Sequence, residues 1–291
     1  VLDFGLFQVH ANGRIIGICG FLIHTSASEK ILIDTGYHRK YITDPHGSSA
    51  EDGMDKFGDI LKLEPVNFPK EQLSLSGVDV LDIDLLVITH THIDHVGGNL
   101  ELLQQFQVPV YGPGSEAIPT VTHRLKEGDS VYLSELSLRL SILDIPGHTA
   151  GHIAYYGANL LFCGDTLFSC GCGRLFEGTA QQMYISLNKL AGLPDKTGVY
   201  CGHEYTLANI NFARLVEPEN QAITQLQISA EKQRKSNLPT LPSTIAMEKA
   251  CNPFLRCNQP EVIRNASNYA GKSLTDPVSV FAAIREWKNN I

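Results

Sequence analysis

The sequence contains no apolar run near the roughly 20 residues that a membrane-spanning helix needs, so no membrane partner is expected. Its first residues, Val1-Leu2-Asp3-Phe4, lack the basic flank and apolar core of a secretory signal, and no Met opens the chain. It is also short of positive charge. Its 23 Lys and Arg stand against 31 Asp and Glu, for a formal charge of −8. That balance argues against a nucleic-acid partner and against a nuclease. The cysteines are seven: Cys19, Cys163, Cys170, Cys172, Cys201, Cys251 and Cys257. An odd set in a chain of 291 residues points to reduced thiols and a cytoplasmic location, not to a disulfide framework. Cys170-Gly171-Cys172 lacks the two-residue gap of the usual metal or redox pair, so it reads as a tight turn. The remaining composition, 43% hydrophobic, is that of a globular chain with room for one large domain or two smaller ones.

Against this background one stretch stands out. Thr89-His90-Thr91-His92-Ile93-Asp94-His95-Val96-Gly97-Gly98 packs three imidazoles and a carboxylate into six positions. It follows Leu85-Leu86-Val87-Ile88, which reads as a buried strand, and precedes Asn99-Leu100-Glu101-Leu102-Leu103, which reads as a helix start. Side chains that transition metals prefer thus sit at a strand end, where a scaffold can hold them. One loop cannot close a site for two ions, and further donors occur at other strand ends. Pro146-Gly147-His148-Thr149-Ala150-Gly151-His152 follows the strand from Leu138 to Leu143. Asp165 follows Leu160-Leu161-Phe162, and Gly202-His203-Glu204-Tyr205 follows Val199. This is where an α/β sheet presents functional groups.

The first part of the chain is rich in strands. Gly20-Phe21-Leu22-Ile23 and Ile31-Leu32-Ile33 read as a pair ending in Asp34-Thr35-Gly36. Ile153-Ala154-Tyr155-Tyr156 and Leu160-Leu161-Phe162 repeat the pattern, ending in Cys163-Gly164-Asp165-Thr166. Residues 37–82 are rich in Pro, Gly and Ser and read as a long loop, either a lid or a solvated insertion. From about Thr206 helical spacing takes over, in Leu207 to Leu215, Gln221 to Lys235 and Val278 to Lys288. The expected division is a catalytic domain over 1–205 and a helical substrate-binding domain over 206–291.

The order His-x-His-x-Asp-His, Gly-His, Gly-Asp-Thr, Gly-His resembles the metallo-β-lactamase superfamily. The resemblance implies an α/β fold, the αβ/βα sandwich, with a dinuclear metal site. It would place His90, His92 and His148 on one ion, Asp94, His95 and His203 on the other, and Asp165 between them. His152 is not a ligand in that pattern and is expected to be structural. The second half resembles glyoxalase II, the hydroxyacylglutathione hydrolases. The strings are Phe162-Cys163-Gly164-Asp165-Thr166-Leu167-Phe168, Gly171-Cys172-Gly173-Arg174-Leu175-Phe176-Glu177-Gly178-Thr179, Cys201-Gly202-His203-Glu204-Tyr205-Thr206, Val216-Glu217-Pro218 and Asn252-Pro253-Phe254-Leu255-Arg256. By that resemblance Arg174, Tyr205 and Arg256 would contact glutathione. Phe176 stands where some members have Tyr, and no Lys follows Arg256 in Cys257-Asn258-Gln259. The first half departs from the family: it lacks the Asp-Asn-Tyr of the opening strand and carries the 37–82 segment. Asp34-Thr35-Gly36, that segment and Asp82 to His90 look more like acyl-homoserine lactonases. The chain reads as a mosaic, lactonase-like to about Asn99 and glyoxalase-like after it. Divergence or an engineered fusion would each produce that pattern.

The implied chemistry is hydrolysis by a hydroxide shared between two divalent ions, with Asp94 also able to orient it. Zinc is the first expectation; iron and manganese suit the same donors. The expected substrate is S-D-lactoylglutathione, and the expected state is a monomer. The alternative substrate is an acyl-homoserine lactone, with residues 37–82 as an acyl-chain lid. Some lactonases place a Tyr three residues after the bridging Asp, where this chain has Phe168, which cannot donate a hydrogen bond. A one-metal persulfide dioxygenase is disfavoured by the second-ion set Asp94, His95 and His203, and a non-catalytic binding module by the intact donor set as a whole. Arg174 and Arg256 suit the carboxylates of glutathione, because guanidinium pairs with carboxylate through two parallel hydrogen bonds.

Overall fold

The computed structural model describes residues 2–9, 15–24, 30–52, 56, 58–133 and 138–291. The chain falls into two compact units, one of residues 1–143 with 153–158 and one of 144–152 with 159–291. Among the described residues no helix is long and apolar enough to cross a membrane.

The first unit is built on strands β1 (Leu2–Val9), β2 (Ile15–His24) and β3 (Lys30–Ile33). Helices α1 (Lys40–Thr43) and α2 (Pro45–Glu51), strand β4 (Gly58–Lys62) and helix α3 (Pro69–Leu75) follow. Then come β5 (Leu85–Val87), α4 (Ile93–Val96), α5 (Asn99–Gln105), β6 (Val110–Pro113) and β7 (His123–Leu125). Strands β8 (Ser130–Leu133), β9 (Leu138–Asp144) and β10 (Ile153–Gly157) end the unit. The main sheet runs β4-β1-β2-β3-β5-β6-β7. The expected hairpin forms, with Phe21 opposite Ile33 and Ile23 opposite Ile31. β3, β5 and β6 are parallel, as continuous apolar runs predict. Ile31, Leu32, Leu86, Val87 and Ile88 are wholly buried.

The structure corrects the reading of residues 37–82 as loop. Residues 53–55 and 57 lie outside the described residues, but the rest is largely ordered into elements. Pro45 and Pro69, read as loop punctuation, each open a helix. Proline suits that first position, since its missing N–H would have no helical partner there. β4 adds an antiparallel edge strand beside β1, with Phe7 opposite Ile60. Arg39 fastens the segment. Its Nη2 donates to Glu71 Oε1 at 2.9 Å and its Nε to Glu101 Oε1 at 2.8 Å, while its guanidinium lies 4.4 Å from the Phe68 ring centre.

The second unit has β11 (Leu160–Gly164), β12 (Leu167–Phe168), β13 (Gly171–Cys172), α6 (Ala180–Ala191) and β14 (Gly198–Cys201). A short strand β15 (His203–Glu204) precedes α7 (Thr206–Val216) and α8 (Gln221–Lys235). β16 (Ser243–Thr244), α9 (Ile245–Cys251), α10 (Pro260–Ala270) and α11 (Pro277–Asn289) complete it. β11 and β14 are parallel, and β12 pairs with β13 across a turn in which Cys170 has φ of 57°. The turn is Ser169-Cys170, so the tight turn expected at Cys170-Gly171-Cys172 holds only for its first residue, and Gly171-Cys172 already belong to β13. The helices expected at 207–215, 221–235 and 278–288 all form. The apolar stripes of α7 and α8 meet in one core through Ile210, Ala213, Ile223 and Ala230, closed by Cys251 of α9 and by Cys170.

Candidate metal centre and its surroundings

In the first unit the donor loop leaves β5 and turns into α4, with His92 at the helix N-cap. His90 and His95 are fully buried. His90 Nε2 lies 3.2 Å from His92 Nδ1. Two nitrogens on one tetrahedral zinc, each at 2.0–2.1 Å, would be about 3.3 Å apart, so this spacing fits ligands of a common ion. His95 Nδ1 lies 2.8 Å from Asp34 Oδ2, and His95 Nε2 lies 3.8 Å from Asp94 Oδ2. A carboxylate only accepts, so the Nδ1 facing Asp34 carries the proton. Nε2 then keeps its lone pair on the side of Asp94. Metal-ligating histidines are commonly oriented in this way.

Asp34, to which the sequence reading gave no role, is the residue that braces this donor loop. It also accepts from Thr89 N at 3.0 Å and Thr89 Oγ1 at 2.9 Å, so one carboxylate aims both ends of the donor loop. Its φ of 52° lies in the left-handed region, which Asp tolerates better than most residues. The available signal was an Asp at a strand end followed by Gly36. Replacing Asp34 by Ala is expected to weaken metal binding by roughly 10–100-fold, read by competition with a chelator. Unchanged affinity would show that the backbone alone aims His95.

In the second unit His148, Asp165 and His203 gather around one carboxylate oxygen. Asp165 Oδ2 lies 3.0 Å from His203 Nε2 and 3.5 Å from His148 Nε2. His148 Nδ1 donates to Arg174 O at 2.8 Å, which again frees Nε2 as a donor atom for metal. His152 differs. Its Nε2 accepts from Asp165 N at 3.1 Å, so its lone pair holds the Asp165 backbone. This is a structural role, as the motif implied. Gly147 is required where φ is 151° and a Cβ would lie 2.8 Å from Met183. Gly173 is required because a Cβ would meet Asp165 O at 1.9 Å.

The substrate candidates divide into two places. Phe176 is exposed, and its ring stands edge-on to His148 with centroids 5.2 Å apart. Tyr205 lies 5.0 Å from His203 and packs edge-on to Phe168 at 4.7 Å. Arg174 is half-buried, with its Nε donating to Asn289 Oδ1 at 3.4 Å. Arg256 sits in a separate cleft of ≈ 410 Å³, lined also by Glu217, Glu219, Gln259, Pro260, Glu261 and Arg264. Its Nε and Nη2 clasp the buried Glu217 at 2.8 and 3.0 Å, and its Nη1 donates to Lys249 O at 3.1 Å.

Comparison with known proteins identifies the family. Residues 19–203 match the family described as metallo-beta-lactamase superfamily, and residues 204–291 match the hydroxyacylglutathione hydrolase C-terminus. The chain is 64% identical to the hydroxyacylglutathione hydrolase of Nitrosomonas europaea, over 70% of this chain and 78% of that one. It is 54% identical to the hydroxyacylglutathione hydrolase of Alkalilimnicola ehrlichii, over 72% and 82%. Among solved structures it resembles ETHE1 from Myxococcus xanthus, with a TM-score of 0.51, 23% identity and coverage of 99% and 98%. It also resembles an N-acyl homoserine lactone hydrolase holding N-hexanoyl-L-homoserine, with a TM-score of 0.51, 19% identity and coverage of 69% and 91%. These two likenesses speak for the αβ/βα fold. The chain belongs to the metallo-β-lactamase superfamily and, within it, to the hydroxyacylglutathione hydrolases, the glyoxalase II family of metal-dependent hydrolases.

Proposed function

We propose that the chain hydrolyses S-D-lactoylglutathione or a close hydroxyacyl relative, with two zinc ions as its cofactor. His90, His92 and His148 would hold one ion, Asp94, His95 and His203 the other, and Asp165 both. The observation that carries this reading is the pre-aimed donor set. Asp34 and the Arg174 carbonyl tie down Nδ1 of His95 and His148, and each ring keeps Nε2 for a metal. Divalent ions bound there would supply an acidified water and a polarised acyl carbonyl.

The chain's own residues would do the rest. Asp94 stands beside His95 as the carboxylate able to orient the attacking water. Arg174 would take a glutathione carboxylate, with Tyr205 beside it; Arg256 remains a further candidate for the tripeptide. The thiolate leaving group has a pKa near that of free thiols and needs no proton donor. A cysteine nucleophile is disfavoured, because burial pushes the Cys163, Cys172 and Cys257 thiols up and keeps them protonated. A cytoplasmic location fits this reading, since all seven cysteines are buried thiols.

The test is metal removal and return. Dialysis against a chelator is expected to abolish hydrolysis, and titration with zinc to restore it along a line that breaks at two equivalents. Full activity at one equivalent, or activity that survives chelation, would contradict the two-ion site.

A further inference from the structure

Helix α11 carries a buried guanidinium whose charge no described carboxylate cancels. Arg285 is 6% exposed. Its Nη1 donates to Cys172 O at 2.9 Å and more weakly to Gly173 O at 3.5 Å. Its Nη2 donates to Asn289 Oδ1 at 3.0 Å, and its Nε is buried with no hydrogen-bond partner. Among the described residues no carboxylate lies within ion-pair distance of it. Burial pushes its pKa down, and the charge of Arg174 adds to that push. A buried cation is costly unless something balances it.

Asn289 Oδ1 also accepts from Arg174 Nε. Two guanidiniums thus converge on one neutral oxygen. An amide oxygen can orient both, but it cancels neither charge. The loop between them is fixed as well, since Arg285 holds the Cys172 and Gly173 carbonyls just before Arg174. An aspartate at 289 would occupy the same space and form ion pairs with both arginines. The neutral side chain leaves the positive charge available to a ligand.

We propose that Asn289 and Arg285 are positioning residues that hold Arg174 as an uncancelled cation for a carboxylate of the substrate. The proposal rests on the thioester reading above and deepens it. It makes the anionic groups of the thiol carrier, and not the acyl group alone, a determinant of specificity.

The test compares wild type with Asn289→Asp and Asn289→Ala in the metal-loaded enzyme. The probe is S-methylglutathione, an unreactive thioether, set beside its diethyl ester, and binding is read by calorimetry. Asn289→Asp is expected to weaken binding of the free acid about tenfold, the scale of one charged hydrogen bond, and to leave the diester unchanged. For the thioester, KM should rise by a similar factor while kcat stays within about twofold. Asn289→Ala, which removes the orienting oxygen without adding charge, should fall between. Equal affinity in wild type and Asn289→Asp, or equal losses for acid and diester, would overturn the proposal. The two readings fail separately. A wild type that discriminates acid from diester but does not cleave S-D-lactoylglutathione refutes the assigned substrate and leaves this anion site standing. Cleavage with no effect of Asn289→Asp refutes only the positioning role.

Discussion

Replacing Asp165 by Ala is expected to lower kcat/KM by on the order of 10³-fold and to reduce the bound metal. The reason lies in its position. Asp165 follows β11, its backbone N–H is held by His152, and its Oδ2 lies within 3.5 Å of both His148 and His203 Nε2. No other carboxylate oxygen of the second unit is described between two imidazole nitrogens in this way. Its loss would leave those nitrogens facing each other across an empty corner with no negative charge between them. Neutral imidazoles alone hold a divalent ion less tightly than a mixed set that includes a carboxylate. Metal content by elemental analysis, taken with kcat/KM on the same sample, checks this. A variant that keeps two ions and activity within tenfold of wild type would remove Asp165 from the proposed centre.

The second large effect concerns stability. Glu248 on α9 is wholly buried, and burial pushes its carboxyl from 4.5 up to about 7. Its Oε2 accepts from Cys170 N at 2.8 Å and Asn252 Nδ2 at 2.9 Å, while Oε1 meets Ser243 Oγ. Asn252 in turn donates to Gly171 O at 2.8 Å, so this group braces the β12–β13 hairpin from below. The folded state holds the proton up to about pH 7, whereas the unfolded chain releases it above about 4.5. Between those values the folded state binds more protons, so stability falls as pH rises through the window. The loss is complete above pH 7 and amounts to on the order of 3 kcal/mol. Glutamine copies the protonated carboxyl: its oxygen can accept the two N–H groups, and its NH₂ can donate to Ser243. Glu248→Gln is therefore expected to match wild type near pH 4.5 and to exceed its stability by about 3 kcal/mol at pH 8, by urea unfolding. Parallel pH profiles for the two proteins would show that Glu248 is ionised throughout.

Much of the site was legible because its chemistry is local. Three His and an Asp within six positions admit few structural explanations, and the strands that present them are continuous apolar runs. The helices after Thr206 were legible for the same reason, through spacing. What the sequence hid depends on contacts made at long range. Asp34 stands 61 residues from the His95 ring that it holds. Glu217 and Arg256 appeared as separate family strings, and only the fold shows one clasping the other. Arg285 and Asn289 carry no motif in the sequence, and only the fold shows that they meet the loop of Arg174. Residues 37–82 misled for a different reason. Proline marks both loops and first turns of helices, and composition alone cannot tell which.

The central claim is that this chain is a thioester hydrolase of glutathione conjugates, although its N-terminal third carries lactonase-like strings. The most direct measurement is kcat/KM for S-D-lactoylglutathione beside a long-chain acyl-homoserine lactone, on one preparation of known metal content. The account predicts a clear preference for the thioester, with the 37–82 segment a sheet edge and not a substrate lid. A preference for the lactone would contradict it, and would mean that the N-terminal segment governs what enters the site.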